Sequence, residues 1–331
     1  MSDSHHDDGT QRVFHSEPHT AGIDTGRKRK PPKNLADGMV KALRPKQWVK
    51  NVLVLAAPAA AGADALFHSR VLLDVLLAFI VFCMGASSIY LINDARDVEA
   101  DRAHPTKRFR PIAAGVLPVG LAYAMAAVLI VGSIALSFLA TAGPQLAIVM
   151  AVYIALQLGY CFGWKHMPVI DIALVSSGFM LRTMAGGVAA GIVLSQWFLL
   201  VAAFGSLFMA SGKRYSEILL AERTGAKIRK SLEGYTPTYL RFVWTLAATA
   251  LVMSYSLWGF QLSNAADGPA GVWYQVSMVP FTIAVLRYAA DVDRGNGGAP
   301  DEIALEDRAL QVLALAWLAC IAMAVYIMPM L

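Results

Sequence analysis

The segment Val71-Leu72-Leu73-Asp74-Val75-Leu76-Leu77-Ala78-Phe79-Ile80-Val81-Phe82-Cys83-Met84-Gly85-Ala86-Ser87-Ser88-Ile89-Tyr90-Leu91-Ile92 passes without a break into Asn93-Asp94-Ala95-Arg96-Asp97-Val98-Glu99-Ala100-Asp101-Arg102. The first part has the length, about 20 helical residues, that crosses a hydrocarbon core of roughly 30 Å. The second part is charged at 94, 96, 97, 99, 101 and 102. A helix running from one into the other is a membrane stem with an ionic head. Apolar runs of the first kind recur near 48–63, 71–91, 119–140, 145–162, 169–190, 195–211, 239–261, 272–288 and 309–329, the first of them interrupted by Pro58. The pattern predicts an all-α fold, a polytopic membrane bundle of nine transmembrane helices with loops capping one mouth.

Composition agrees. Of 331 residues 57% are apolar and 15% charged, against about 25% charged in soluble domains, which excludes a soluble globular protein. Met1 to Lys50 hold 10 of the 28 Lys+Arg and 6 of the 23 Asp+Glu, so +4 of the net +5 lies there. The basic excess belongs to a tail and does not point to nucleic acid. Residues 1–38 read as a disordered cytoplasmic basic tail, with no period that buries a face. Its cluster Arg27-Lys28-Arg29-Lys30-Pro31-Pro32-Lys33 suits anionic headgroups of membrane lipids. Residues 39–331 read as one catalytic domain. The first apolar run begins near Val52, too deep for a signal peptide. Cys83, Cys161 and Cys320 lie in apolar runs, at spacings that suit neither a zinc site nor a disulfide framework.

Loop charge orients the bundle. Loops 64–70, 141–144, 191–194 and 263–271 contain one basic residue, Arg70. The tail, 92–118, 163–168, 212–238 and 289–308, with their helix ends, hold every other Lys and Arg except Arg182. The positive-inside rule puts the tail and the long loops in the cytoplasm of a plasma-membrane protein. A transporter spreads ionisable groups along a mid-membrane path. Charges crowded at one mouth suit an enzyme that takes a charged substrate from the cytosol and a lipid from the bilayer.

Asp94, Asp97 and Asp101 stand at i, i+3 and i+7, one face of a continued helix, with Asn93 at i+4 from Asp97. Stacked like charges need a cation. Either Arg96 and Arg102 supply it on a solvated helix, or Mg²⁺ does, since that ion takes one or two carboxylates, waters and phosphate oxygens. The next stretch, His104-Pro105-Thr106-Lys107-Arg108-Phe109-Arg110-Pro111-Ile112-Ala113-Ala114-Gly115, places Lys107, Arg108 and Arg110 between two prolines. Carboxylates beside a basic turn meet the needs of a metal-bound diphosphate.

The order N-D-x-x-D-x-x-x-D, then K-R-x-R-P, at the end of the second apolar run resembles the UbiA-type intramembrane prenyltransferase superfamily, over about residues 40–330. On Arg44-Pro45-Lys46-Gln47-Trp48-Val49-Lys50-Asn51, Asn93 to Gly115, Gly212 to Glu217 and Tyr239 to Phe242, the chain is similar to members that move a phosphoribosyl group. The resemblance implies a membrane glycosyltransferase that moves 5-phosphoribosyl from 5-phosphoribosyl 1-diphosphate to decaprenyl (polyprenyl) phosphate. Diphosphate is released, and the product feeds arabinan cell-wall synthesis. It also implies that Asp94, Asp97 and Asp101 hold Mg²⁺ with help from Asn93. Prenyl-transferring members usually carry a second D-x-x-x-D, whereas Asp171 is followed four residues on by Val175. The other activity the resemblance allows is prenyl transfer from a prenyl diphosphate to an aromatic acceptor.

For the phosphoribosyl reaction, the C1–O bond breaks through an oxocarbenium-like state, as glycosidic bonds do. Mg²⁺, Lys107, Arg108 and Arg110 are expected to stabilise charge on the leaving diphosphate. The acceptor phosphate is already anionic, needs no general base, and attacks with inversion at C1. Lys46, Gln47, Lys50 and Asn51 share a face at the start of the first helix; they bind a phosphate or snorkel beside Trp48. Tyr160, Lys165 and Asp171 are candidates for the second half of the pocket, and the nearby His166 reads as structural. Arg182, three turns inside a membrane helix, is costly without a partner; an anionic ligand or an acid on another helix would serve. The stretch 212–238 has the composition of an amphipathic helix over the opening, with Lys213, Arg214, Tyr215 and Glu217 reaching the donor's ribose or 5-phosphate. Asp291, Asp293, Asp301 and Glu302 read as a solvated loop. Homo-oligomer formation is left open.

Overall fold

In the computed structural model the described residues are 30–62, 68–224, 232–266, 268–297, 303 and 306–328. Most of the expected tail lies outside them, as do Lys227, Arg229, Lys230, Asp301 and Glu302. Helix α1, Leu35–Ala42, opens where the Asn34 side chain accepts from the Asp37 N–H at 2.9 Å, satisfying one of the first-turn donors that a helix leaves unpaired. The boundary expected at 38/39 therefore falls inside a helix. The chain then turns at Arg44, whose φ of 54° is left-handed.

From Pro45 to Leu55 the backbone winds as a 3-10 helix, continued by a short α2, Ala56–Ala60. At three residues per turn, i and i+3 eclipse. Gln47 and Lys50 line up, while Lys46 and Lys50 sit about 120° apart, so the common face expected of Lys46, Gln47, Lys50 and Asn51 is not formed. Close packing accompanies the tighter winding: the Val54 carbonyl fills the place where a side chain on Gly186 would stand, and Ala57 abuts Gly187.

Eight helices follow that carry or link the bundle: α3 Ser69–Arg96, the short α4 Val98–Ala103, α5 Val119–Ser137, α6 Gly143–Cys161, α7 Ile170–Ala189, α8 Gln196–Thr224, α9 Pro237–Ala265 and α10 Ala270–Asp293. The last, α11, Arg308–Ala322, ends in a π-turn over Met323–Ile327. No strand occurs among the described residues. Among the described residues six segments can cross a membrane by length and composition: α3, α5, α6, α7, α9 and Arg308–Ile327. The expected count of nine is thus not reproduced. The runs at 195–211 and 272–288 are helical, within α8 and α10, but are not among these six, and 48–63 becomes the 3-10 segment and α2.

α3 is the central helix. Two thirds of its apolar window is buried, against 17% for α5 and for Arg308–Ile327, so those two present most of their surface to lipid. One core joins α3, α6 and α7 through Phe82, Met150, Tyr153 and Ala185; a second joins α8, α9 and α10 through Phe208, Tyr215, Trp244 and Tyr288. Contacts gather the loops into two sets at opposite ends. At one end Arg70 binds Thr141 and the Leu139 carbonyl, Ala142 N–H donates to Ala189 O, and Ser195 binds Gln261. At the other, Arg44 reaches Asp94, Lys165 reaches Asp97, and Arg241 reaches Asp293. The sets match the basic-poor and basic-rich loops read from the sequence.

Candidate active site

The central helix delivers its acidic head with one interruption. α3 ends at Asp97 (φ −90°, ψ 13°), and α4 begins one residue later. The three carboxylates do not form a single stack. Asp94 and Asp101, only 4% and 3% exposed, converge on one atom: Arg110 Nη1 lies 3.0 Å from Asp94 Oδ1 and 2.7 Å from Asp101 Oδ2. Asp97 turns away to Lys165 Nζ, at 3.0 and 3.1 Å. Two buried carboxylates are costly unless paired and hydrogen-bonded, and here the basic turn supplies the pairing.

Arg44, to which the sequence reading gave no role, completes it. Its Nη2 donates to both Asp94 oxygens at 2.6 and 2.7 Å, and its guanidinium stacks over Tyr90. A non-glycine residue held at positive φ is uncommon and clusters at functional sites. The signal in the sequence was an arginine directly before a proline at the start of the first apolar run. Of the three basic-turn residues, Arg110 is central and Lys107 Nζ stands 3.9 Å from Asp101. Arg108 is exposed, with its guanidinium over Phe109, away from the carboxylates. Asn93 is half-buried beside Cys161, whose thiol points at Asn93 Oδ1 from 3.9 Å.

The donor set suits Mg²⁺. Asp94 and Asp101 offer hard oxygens that converge on one place, which Arg110 Nη1 fills, so an ion bound there would take over the position of the guanidinium. Among the described residues no three Asp, Glu, His or Cys side chains cluster as a metal cage. Mg²⁺ does not require one, since it is usually held by one or two carboxylates with water and phosphate oxygens.

The second half of the site forms around Asp171, which is 1% exposed. Its Oδ1 accepts a short hydrogen bond from the Tyr235 hydroxyl. Its Oδ2 lies 3.3 Å from Arg214 Nε, within ion-pair range but without hydrogen-bond alignment. Arg214 also approaches Glu217 at 3.5 Å and has the Tyr160 hydroxyl beside it. Val175, where the second motif carboxylate would stand, packs in the apolar core. Burial, and then the hydrogen bond to Asp171, push the Tyr235 phenol well above its ordinary pKa. Tyr235 was not singled out in the sequence, where an isolated tyrosine after Gly234 gives no pattern.

Other expected residues lie apart. Lys213 and Lys46 are exposed and Gln47 is half-buried. Tyr215 does not reach the opening: it is buried, packed near Trp244, and its hydroxyl accepts from Arg241 at 2.7 Å. Arg182 is buried. It donates to Asn51 Oδ1 (2.7 Å), the Gly178 carbonyl (2.6 Å) and the Tyr153 hydroxyl (2.8 Å), and lies over the Tyr153 and Phe82 rings. The partners it finds are neutral oxygens and aromatic faces, in place of the expected acid. The C-terminal end of α10 is tied down by the Arg287–Asp307 pair at 2.7 Å, so the described part of 289–308 is more ordered than a solvated loop.

Comparison with known proteins follows the same geometry. The model of the UbiA prenyltransferase family matches residues 51–305. A decaprenyl-phosphate phosphoribosyltransferase of Corynebacterium glutamicum is 79% identical, over 98% of this chain and 98% of its own. One of Mycobacterium tuberculosis is 62% identical, over 89% of this chain and 96% of its own. Among solved structures, a UbiA homolog from Archaeoglobus fulgidus bound to DMAPP and Mg²⁺ superposes with a TM-score of 0.63 at 16% identity, covering 89% of this chain and all of that one. The apo structure of a UbiA homolog from Aeropyrum pernix K1 gives 0.55 at 15% identity. The two structures share the fold.

Proposed function

The chain belongs to the UbiA prenyltransferase family, and we propose that it transfers the 5-phosphoribosyl group of 5-phosphoribosyl 1-diphosphate to decaprenyl phosphate and releases diphosphate. The observation that carries this reading is the division of the site. One half joins a buried carboxylate pair to Arg44, Arg110 and Lys107; in the other, the lone Asp171 is committed to Arg214 and Tyr235. The first half suits a metal-bound diphosphate. The second offers one fixed cation, Arg214, held by Asp171 with Glu217 beside it and with Val175 where a second motif carboxylate would stand, which suits a phosphate monoester end. Near-full-length identity to proteins named for this activity supports the same reading.

Asp94 and Asp101, with Asp97 beside them, would hold Mg²⁺. When bound there, the ion neutralises negative charge on the leaving diphosphate. Arg110, Arg44 and Lys107, which pair with these carboxylates, would turn to the diphosphate oxygens once the ion takes the carboxylates, and stabilise the charge that builds as the C1–O bond breaks. Lys165, from the opposite side, orients Asp97. Arg214, with Tyr160 and Glu217, addresses the ribose or its 5-phosphate. The acceptor phosphate attacks C1 from the face opposite the departing group, so the configuration inverts, and its isoprenoid lies between helices with the bilayer as solvent. Arg182, with Asn51 and Tyr153, braces the 3-10 segment against α6 and α7 beneath the site. Facing the cytoplasm, the mouth receives a water-soluble donor.

The test supplies purified membranes with labelled 5-phosphoribosyl 1-diphosphate, decaprenyl phosphate and Mg²⁺. Labelled lipid is the expected product. Its absence, with consumption of a prenyl diphosphate in the presence of an aromatic acceptor, would overturn the reading.

A further inference from the structure

Three elements meet at one hydroxyl. Tyr235 lies on the short segment that leads into α9 and is buried, stacked on Tyr239. Its oxygen accepts from the Val169 N–H at 2.5 Å while its proton goes to Asp171. Val169 has φ 71° and ψ −50°, a conformation that a β-branched residue enters only at a cost. That strain sits in the loop between Lys165, which holds Asp97, and Asp171, which holds Arg214. Pro168 of the same loop abuts Gly234, where any side chain would collide with it. Leu232 and Tyr235 are both part of the core formed by α8, α9 and α10. The segment 232–236 is therefore seated on the loop 163–169, with Tyr235 as the contact that is both polar and buried.

We infer that Tyr235 is a positioning residue: by holding Val169 and Asp171 together it fixes Arg214, and so sets the half of the site that takes the donor's phosphate monoester end. The inference rests on the proposed function and extends it to specificity. An Asp171 carboxylate held at Oδ1 by Tyr235 keeps its Oδ2 3.3 Å from Arg214 Nε and orients that cation. The same carboxylate released from Tyr235 is free to rotate, and Arg214 then takes its direction from Glu217 and Tyr160 instead of from Asp171. Truncating a hydroxyl that donates to a buried carboxylate leaves that charge under-solvated, and such losses commonly correspond to tenfold or more in an equilibrium constant.

The experiment is steady-state kinetics on the purified full-length enzyme and on Tyr235→Phe, which removes one oxygen and keeps the ring. The expected result is a rise of about tenfold or more in KM for 5-phosphoribosyl 1-diphosphate, with KM for decaprenyl phosphate within about twofold of the parent. Inhibition by ribose 5-phosphate, which carries only the monoester end, weakens by a similar factor, while inhibition by inorganic diphosphate stays within about twofold. Equal changes toward both inhibitors, or a lowered Tm with unchanged kinetics, would show that Tyr235 only supports the fold and would overturn the inference. Should Tyr235→Phe fold poorly, Asp171→Asn read by the same pair of inhibitors replaces it, and unchanged selectivity there is equally fatal. A parent enzyme that makes no phosphoribosyl lipid sinks the proposed function itself. A parent that makes it, alongside an unaffected Tyr235→Phe, sinks this inference alone.

Discussion

Asp94 is the residue on which the most interactions depend. Two arginines share its carboxylate in a nearly dry position, so replacing it by asparagine removes a proposed metal ligand, leaves Arg44 without that counter-charge and leaves Arg110 to Asp101. Asp97, whose side chain is about a third exposed and pairs among the described residues with Lys165, carries less of the structure. Asp94→Asn and Asp97→Asn are both expected to lower turnover at least about 100-fold, the scale of losing one preorganised electrostatic contact. Only Asp94→Asn should also lower Tm by several degrees. Activity assays paired with thermal unfolding of the detergent-purified variants check this, and full activity in both would remove the carboxylates from the metal assignment. Arg108 and Arg110 offer a second contrast. In the sequence they are equivalent members of one basic turn; in the fold Arg110 bridges two buried carboxylates and Arg108 rests on its neighbour's ring. Arg110→Ala should lose at least about 100-fold in kcat/KM, and Arg108→Ala should stay within a few-fold. Similar losses in both would mean that the turn acts as diffuse charge.

At the scale of elements, the stems were legible and the joints were not. Apolar length alone marks α3, α5, α6, α7, α9 and α11, because a membrane helix must satisfy its backbone internally and announces itself as one long run. The single-residue interruption at Asp97 depends on Lys165 and Arg110, which are distant in the chain, and the 3-10 winding of Pro45–Leu55 depends on Gly186 letting the Val54 carbonyl approach. Neither has a local signature. For the same reason the acidic motif could be read as chemistry while its split between two partners could not, and Tyr235 was invisible. The start of α11 was legible in part: Asp307 caps it, its Oδ1 accepting from the Ala309 and Leu310 N–H groups while Oδ2 receives Arg287. The Arg287 hydrogen bond, first, holds the Asp307 carboxyl below its ordinary value of 3.8. A depressed carboxylate pKa contributes stability that is complete above the unfolded value and is lost as pH falls through the folded one. Asp307→Ala should therefore cost about 1 kcal/mol at neutral pH. The Tm gap between variant and parent should close as the pH falls below about 4; a gap that persists there would place the effect elsewhere than in the ionised cap.

For the whole molecule, the distribution of charge decides more than its sum. The net +5 belongs mostly to the first fifty residues, and apart from Arg70 and the buried Arg182 the body gathers its cations toward one end, where they meet carboxylates that they neutralise. That end holds Arg44, Lys107, Arg110, Lys165 and Arg214, and the opposite end is joined by neutral contacts and by Arg70. An enzyme that draws a highly charged donor from solution must open this end to the compartment that contains it, so the orientation is a functional claim as well as a topological one. It can be tested with cysteines, because Cys83, Cys161 and Cys320 are all buried and give little background. Val193, 93% exposed in the loop between α7 and α8, lies at the end poor in basic residues; Lys41, exposed on α1, lies at the rich end. Val193→Cys should react with a membrane-impermeant maleimide in intact cells, and Lys41→Cys only after permeabilisation. The reverse pattern would turn the bundle over. It would place the carboxylate pair outside the cell, away from a phosphorylated sugar donor, and the proposed function would fall with the topology.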